Sequence, residues 1–508
     1  MIAIINEALQ SFEQDIRELL MAFFPGEKFC FEKNKDAKLE LICRETEFCA
    51  AGDAEAISLD GNRAHDKSEC KRALYRLLSR ITGENLPWGT LTGIRPVKLP
   101  EQMLGEGKTD AEVLQRLEDF YLISKEKSEL ILDIAHREHA VLNRIPYRAG
   151  WSLYIGIPFC PTTCLYCSFT SYPIAKWEAR AEEYLDCLDR ELEQLRQIQE
   201  GKDGAYPGGM DGCITGKPLQ TVYIGGGTPT ALCAAQLDRL LSIVENRMDL
   251  RTVAEYTVES GRPDSITEEK LAVLKNHNIG RISINPQTMN QRTLDLIGRR
   301  HTVQDVKDAF LSARKAGFDN INMDVIMGLP EETEADVRHT LSEIEMLKPD
   351  SLTVHALAVK RAARLNTEGK AWNNLPRAGA EEAARMTAMG TASALRMGLF
   401  PYYLYRQKNM AGNQENTGYA AAGKENLYNI LMMEEMHTVI GCGAGASSKV
   451  VLKNEHPEAH GGNLHRVERF ENIKNIAEYL PRIDETMEKR ARFFCETCQT
   501  IESKRGNS

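Results

Sequence analysis

Three cysteines share one short stretch of the chain, YIGIPFCPTTCLYCSF, as Cys160, Cys164 and Cys167. Three thiolates on one loop can ligate three irons of a cubane iron–sulfur cluster, which leaves the fourth iron without a protein ligand. An open iron can bind the amino and carboxylate groups of S-adenosylmethionine (SAM). One electron from the reduced cluster then cleaves the sulfonium to a 5′-deoxyadenosyl radical, which abstracts hydrogen from a substrate. A zinc site fits less well, because zinc usually completes four ligands and no Cys or His partner pair lies nearby. Tyr166, beside the last cysteine, suits an aromatic ring packed on the cofactor. Eight other cysteines stand apart from one another and read as ordinary thiols. Cys495 and Cys498 form a lone Cys-x2-Cys in RFFCETCQ, a weak signal for metal or redox duty.

Further polar residues fall where short apolar runs end. Gly225-Gly226-Gly227-Thr228-Pro229-Thr230 follows the second such run, and its glycines permit close approach of backbone N–H and C=O groups to the polar end of SAM. Glu259 ends the third run, Gln287 follows the fourth, Asp324 lies within the fifth and His355 ends the sixth. An inward carboxylate such as Glu259 or Asp324 can accept hydrogen bonds from ribose hydroxyls or from a methionyl ammonium. Singly, each also suits a purely structural hydrogen bond.

The elements that must hold these residues alternate. Ser152 to Ile157, Thr221 to Ile224, Glu255 to Val258, Arg281 to Ile284, Asn320 to Ile326 and Ser351 to Val354 read as strands, with helical periods between them. Trp177, Ala181, Tyr184, Leu188, Leu192 and Leu195 mark one buried helical face. Thr302 with Asp305, and Thr333 with Asp336, predict capping-box starts, and Gly317 and Pro349 predict the stops. The pattern is α/β: a partial (β/α)6 barrel with its site at the C-terminal ends of the strands. Residues 1–145 predict an N-terminal α+β domain, with a strand at Lys38 to Cys43 and helices around Arg72 to Ile81 and Asp110 to His136. Residues 146–365 are expected to form the barrel. Residues 366–508 predict a mostly helical C-terminal region that closes its open edge. The stretch GKDGAYPGGMDGCITGKP, rich in glycine and proline, predicts a surface insertion.

At 508 residues, with 42% apolar and 27% charged content, the chain suits two or three globular domains. A net charge of −10 argues against unselective attraction to nucleic acid or anionic membrane. The start, MIAIINEALQSFEQ, does not read as a signal peptide, and no segment approaches the roughly 18 apolar residues of a membrane span. A reducing, cytoplasmic setting is expected, where thiols serve metals more often than disulfides.

These residues resemble a known family, the oxygen-independent coproporphyrinogen III oxidases of the radical SAM superfamily, and within it the HemZ-type branch. The resemblance runs through YIGIPFCPTTCLYCSF, YIGGGTPT, ESGRPD, RISINPQTM, IGRRH, NMDVIMGLPEET and HALAVKRAARL, and resumes in GCGAGASS; LPWGTLTGIRPVKL also looks like this branch. It implies a [4Fe–4S] cluster on Cys160, Cys164 and Cys167, with Tyr154, Gly226 and Glu259 contacting the cluster-bound SAM. It also implies that Tyr166, Gly227, Thr228, Gln287, Arg299 and Asp324 match positions lining a second SAM. His355 and Ser447 correspond to positions touching the adenosine through the main chain. The implied reaction converts two propionates of coproporphyrinogen III to vinyl groups with loss of carbon dioxide, giving protoporphyrinogen IX. A flavodoxin or ferredoxin is the usual electron donor for such chemistry.

The chain departs from that pattern in two places. Phe169 stands where the oxidases carry a further cysteine, and Asn285-Pro286-Gln287 replaces a Gly-Val-Gln turn, removing a flexible glycine and a backbone donor. A second SAM is therefore an open question. A tetracarboxylate substrate needs cations, for which Arg262, Lys360, Arg361 and Arg364 are available. Two other functions compete: a haem chaperone that keeps the cluster without decarboxylation, and another radical transformation of a porphyrin or of RNA. The sequence is silent on oligomeric state.

Overall fold

The structure is a computed structural model that describes residues 1–167, 169–201, 214–358, 378–407, 414–453 and 465–505. Most of the glycine-rich insertion, together with Lys360, Arg361 and Arg364, lies outside the described residues.

The first 56 residues build a five-stranded sheet from β1 (Ile2–Asn6), β2 (Phe29–Cys30), β3 (Leu39–Cys43), β4 (Glu47–Ala50) and β5 (Asp53–Ala56), in the order β2-β1-β3-β4-β5. Helices α1 (Glu13–Phe23) and α2 (Arg63–Thr82) pack on it, burying Leu19, Leu20, Phe23, Leu74 and Leu78 against Leu41 and Phe48. Three helices follow: α3 (Lys98–Gly105), α4 (Asp110–Asp119) and α5 (Lys125–Leu142). The single helix expected from Asp110 to His136 is thus two. Leu122 takes a left-handed φ of 57°, and the Ser124 hydroxyl caps α5 by accepting from the Lys127 N–H. Trp88, buried in this layer, donates its indole N–H to Glu415 at 3.1 Å and so ties the layer to the C-terminal region.

The six expected strands are all present, as β6 (Trp151–Ile157), β9 (Leu219–Gly226), β10 (Glu255–Glu259), β11 (Arg281–Ser283), β12 (Ile321–Met327) and β13 (Ser351–Ala356); the short β7 (Phe159–Cys160) and β8 (Tyr172–Pro173) pair beside the cysteine loop. The six pair in parallel and in sequence order. Helices α6 (Ala181–Gln199), α7 (Ala234–Arg247), α8 (Glu268–Asn276), α9 (Gln291–Leu296), α10 (Val303–Lys315) and α11 (Glu334–Leu347) cover the outer face. Both expected capping boxes form, at Thr302 with Asp305 and Thr333 with Asp336. Trp177 lies in a short turn before α6 rather than within it. Alternate strand residues such as Leu153, Ile155, Val222, Ile224 and Val258 point outward into the main apolar core.

The C-terminal region carries helices α12 (Ala380–Arg396), α13 (Leu427–Glu434), α14 (Ile476–Tyr479) and α15 (Ile483–Arg505), and it also adds five strands to the barrel's own sheet. Beyond β13 lie β15 (Asn416–Ala420), antiparallel, and β14 (Phe400–Tyr405). Beyond β6 lie β16 (Thr438–Cys442), a seventh parallel strand, then β17 (Ser447–Lys453) and β18 (His465–Glu471). The aromatic run FPYYLY is therefore a strand at the sheet's edge. The Tyr403 ring lies across Gly418, where a Cβ would meet the ring at 1.8 Å.

Helix α13 sits under the barrel. The carboxylate of Glu255, at the N-terminal end of β10, accepts from the backbone N–H groups of Leu427 (2.6 Å) and Tyr428 (3.2 Å), which are first-turn donors that the helix cannot satisfy itself. Arg281, at the start of β11, donates to the Lys424 carbonyl at 3.0 Å.

Candidate functional site

Register decides what reaches the barrel mouth. Ile157 of β6 pairs with Gly226 of β9, so the chain leaving β6 passes directly over the glycine turn. The N–H groups of Gly227 and Thr228 donate to the carbonyls of Ile157 and Phe159, each at 2.7 Å. These two amides therefore hold the cysteine loop, which leaves the glycine carbonyls of the turn and the Thr228 hydroxyl for a ligand. A Cβ on Gly227 would meet the Phe159 carbonyl oxygen at 2.5 Å, which makes glycine obligatory there.

Cys160 and Cys164 are buried and Cys167 is half-buried. The Thr228 hydroxyl lies 3.4 Å from the Cys160 sulfur, and that of Ser171 lies 3.8 Å from Cys167. Burial pushes the Cys160 thiol up to about 12. Arg262 is only 3% exposed; it forms a two-pronged pair with Asp264 (2.7 and 3.0 Å), donates to the carbonyl and hydroxyl of Thr162 (2.9 and 3.0 Å), and approaches the Cys164 sulfur at 3.7 Å. It is not a free cation for a substrate, contrary to expectation: it clamps the cysteine loop. Phe169, in the place of the oxidases' further cysteine, is 70% exposed.

Tyr166 and Arg299 meet at 3.2 Å, and the same guanidinium donates to the carbonyls of Gly261 (3.0 Å) and Asn285 (2.5 Å). Arg299 thus joins the cysteine loop to the ends of the third and fourth barrel strands. Gln287 holds a left-handed φ of 68°, at a cost of about 1–2 kcal/mol for a residue with a Cβ, while its N–H donates to the Asp324 carbonyl at 3.0 Å. His355 lies 3.7 Å from the Asp324 carboxylate, to which Asn322 donates at 2.7 Å. Burial pushes Asp324 up, but His355 and the hydrogen bonds of Asn322 and Thr353 outweigh it and hold the carboxyl below its ordinary value. Ser447 opens β17 with its backbone against Gly441, where a Cβ would come within 2.8 Å of the Ser447 carbonyl oxygen.

Glu259 accepts from the Tyr223 hydroxyl at 2.5 Å and from the Gly226 backbone. Burial, with the nearby Asp324 charge, pushes its carboxyl up to about 7. Tyr223 belongs to a triangle of near-parallel rings: Tyr428 lies 4.5 Å away at 21°, and Tyr154 lies 6.2 Å from each of the two. Sequence reasoning missed both Tyr223 and Tyr428. Strand alternation could have found the first, since Tyr223 shares a face with Gly225; nothing in the spacing signals Tyr428, which comes from α13.

The arrangement fits a cluster and a polar cofactor. Three soft thiol donors share one loop, a set suited to iron–sulfur ligation. Around the mouth, Ser260 Oγ, Asn285 Oδ1 and Gln287 Oε1 are buried without a hydrogen-bond partner among the described residues, as polar groups awaiting a ligand would be.

Comparison with known proteins sets the class. Residues 154–344 match the family model of the Radical SAM superfamily, whose cofactors are a [4Fe–4S] cluster and SAM. The oxygen-independent coproporphyrinogen-III oxidase-like protein HemZ of Bacillus subtilis (strain 168) is 40% identical over 430 residues, spanning 84% of this chain and 81% of the relative. The chain belongs to this family of oxygen-independent coproporphyrinogen-III oxidase-like radical SAM proteins. The heme chaperone HemW of the same organism is 31% identical over 58% of this chain and 70% of its own length. Among solved structures, coproporphyrinogen III oxidase (HemN) from Escherichia coli shares the fold, with a TM-score of 0.51 at 22% identity over 69% of this chain and 72% of that one. No helix among the described residues is long and apolar enough to cross a membrane.

Proposed function

We propose that this chain catalyses the oxygen-independent oxidative decarboxylation of coproporphyrinogen III to protoporphyrinogen IX. In this reading Cys160, Cys164 and Cys167 hold the cluster, and Tyr154, Gly226 and Glu259 face the SAM bound to it. When bound, the cluster and SAM supply an electron and a carbon radical able to take hydrogen from a propionate. The protein's part is to position and to exclude water. Arg262 and the Ile157 and Phe159 carbonyls fix the cysteine loop, and Tyr223 orients Glu259 toward a cationic group. The observation that carries the substrate is the 40% identity, across most of the chain, to a relative named as oxidase-like for this porphyrinogen.

A single SAM suits this site best. Both terminal nitrogens of Arg299 are engaged by protein groups, and the Gln287 amide N–H is bound to Asp324. Likeness to a heme chaperone supports a second reading, in which the chain binds haem without decarboxylation.

Anaerobic incubation of the cluster-loaded protein with SAM, dithionite and coproporphyrinogen separates the two. The proposal expects vinyl products with 5′-deoxyadenosine. Deoxyadenosine without any vinyl product overturns it, and tight haem binding without turnover favours the chaperone.

A further inference from the structure

Away from the barrel mouth, three glutamates from three helices converge. Glu101 of α3, Glu138 of α5 and Glu434 at the end of α13 each offer a carboxylate oxygen, and these oxygens all lie within 4.8 Å of one another. Glu138 is 0% and Glu434 2% exposed, and the hydrogen-bond partner of their carboxylates among the described residues is the Glu101 carboxyl, a member of the same group that donates only when protonated. Glu101 is half-buried and forms the most accessible side of the group. The nearby cations are engaged by a different carboxylate: Arg95, Lys98 and Arg469 all pair with Glu435.

Such a group is costly as it stands. An unpaired carboxylate taken out of water loses several kcal/mol of hydration. Here burial, followed by repulsion from the other two, pushes the Glu138 carboxyl well above its ordinary value, and burial pushes Glu434 up to about 7. A positive charge at the point of convergence would reverse all three penalties at once. The donors are hard oxygens only, with no sulfur or imidazole, which selects an ion of the Mg²⁺, Mn²⁺ or Ca²⁺ kind. Oxygens about 2.1–2.5 Å from one centre lie within the observed mutual spacing. The other acidic group, Asp60, His65 and Asp66, differs in kind: it is mostly exposed, and Asp66 already accepts from the N–H groups of Asp60 and Gly61.

We propose that Glu101, Glu138 and Glu434 bind one hard divalent cation, which fastens the N-terminal helices α3 and α5 to α13. The site is separate from the cysteine loop and does not depend on the reaction proposed above.

Manganese provides the probe. Cluster-loaded protein is titrated with Mn²⁺ near neutral pH while the sharp magnetic-resonance signal of the free ion is followed, with Mg²⁺ as competitor. The expected result is one Mn²⁺ per chain, displaced by Mg²⁺, with affinity at least about tenfold weaker in Glu138→Gln and Glu434→Gln and unchanged in Asp60→Asn. Mn²⁺ should also raise the melting temperature of the natural protein and not that of Glu434→Gln. Absence of a saturable site in the natural protein overturns the proposal, whether or not the variants fold. Equal binding in natural protein and both Gln variants overturns it too, and loss in Asp60→Asn alone would move the site to the surface group.

Discussion

The Tyr428 ring lies 4.5 Å from that of Tyr223 at an angle of 21°, and the Tyr223 hydroxyl donates to Glu259 at 2.5 Å. A residue of a C-terminal helix thereby supports, through one ring, the carboxylate at the end of the third barrel strand. Removing that support should be costly. Tyr428→Ala is expected to destabilise the protein by about 3–5 kcal/mol, as for other large-to-small changes at buried aromatic sites. Tyr428→Phe, which keeps the stack, should stay within about 1 kcal/mol. Chemical denaturation measures both; an unaltered midpoint for the Ala variant would show that the stack carries no weight.

Glu259 makes stability depend on pH. Its carboxyl is raised from 4.5 to about 7 in the folded chain, chiefly by burial. Between those values the folded state keeps a proton that the unfolded state releases, so stability falls as pH rises through this window and levels off above about 7. The penalty is on the order of 3 kcal/mol. Glu259→Gln removes it, so the variant should gain on the natural protein from pH 4.5 to 7 in parallel denaturation series, while losing affinity for SAM. Parallel curves across that range would contradict the assignment.

Arg262 should govern cluster content rather than substrate binding. Its guanidinium is buried among Asp264, Thr162 and Cys164. Arg262→Lys cannot reproduce the two-pronged pair, and Arg262→Ala removes the charged donor to Thr162 altogether, at about 1.5–3 kcal/mol. Iron and sulfide analysis should find both variants depleted. Full cluster loading with weakened porphyrinogen binding would restore the substrate-cation role.

The three cysteines of the loop should behave alike. Cys164→Ala is expected to abolish reductive cleavage of SAM, and so are the Cys160 and Cys167 equivalents. Cys187→Ala, on the outer helix α6, should keep it. Survival of cleavage in Cys164→Ala would mean that the cluster lies elsewhere.

Much of this was legible in the chain itself. The six barrel strands follow from short apolar runs, such as Ser152 to Ile157 and Thr221 to Ile224, set apart by helical periods, and capping pairs such as Thr302 with Asp305 are local by nature. What escaped was whatever needed distant partners. Arg262 looked like a cation free for a substrate because its burial depends on Thr162, a hundred residues earlier. The apolar run Thr438–Cys442 carries no sign that it pairs with Trp151–Ile157. Glu101, Glu138 and Glu434 meet only through three separate helices.

Helix α13 is also a matter of timing. It comes from Leu427–Glu434, downstream of β6 and of β9 to β13, the six strands of the barrel it floors. During synthesis, at roughly 5–20 residues per second, the cysteine loop leaves the ribosome tens of seconds before Tyr428 does. Until then Glu255 has no helix to cap and Tyr223 has no ring beneath it, so the nascent barrel is open at its base. The metal-ligating loop is made early, and the site it serves is completed among the last.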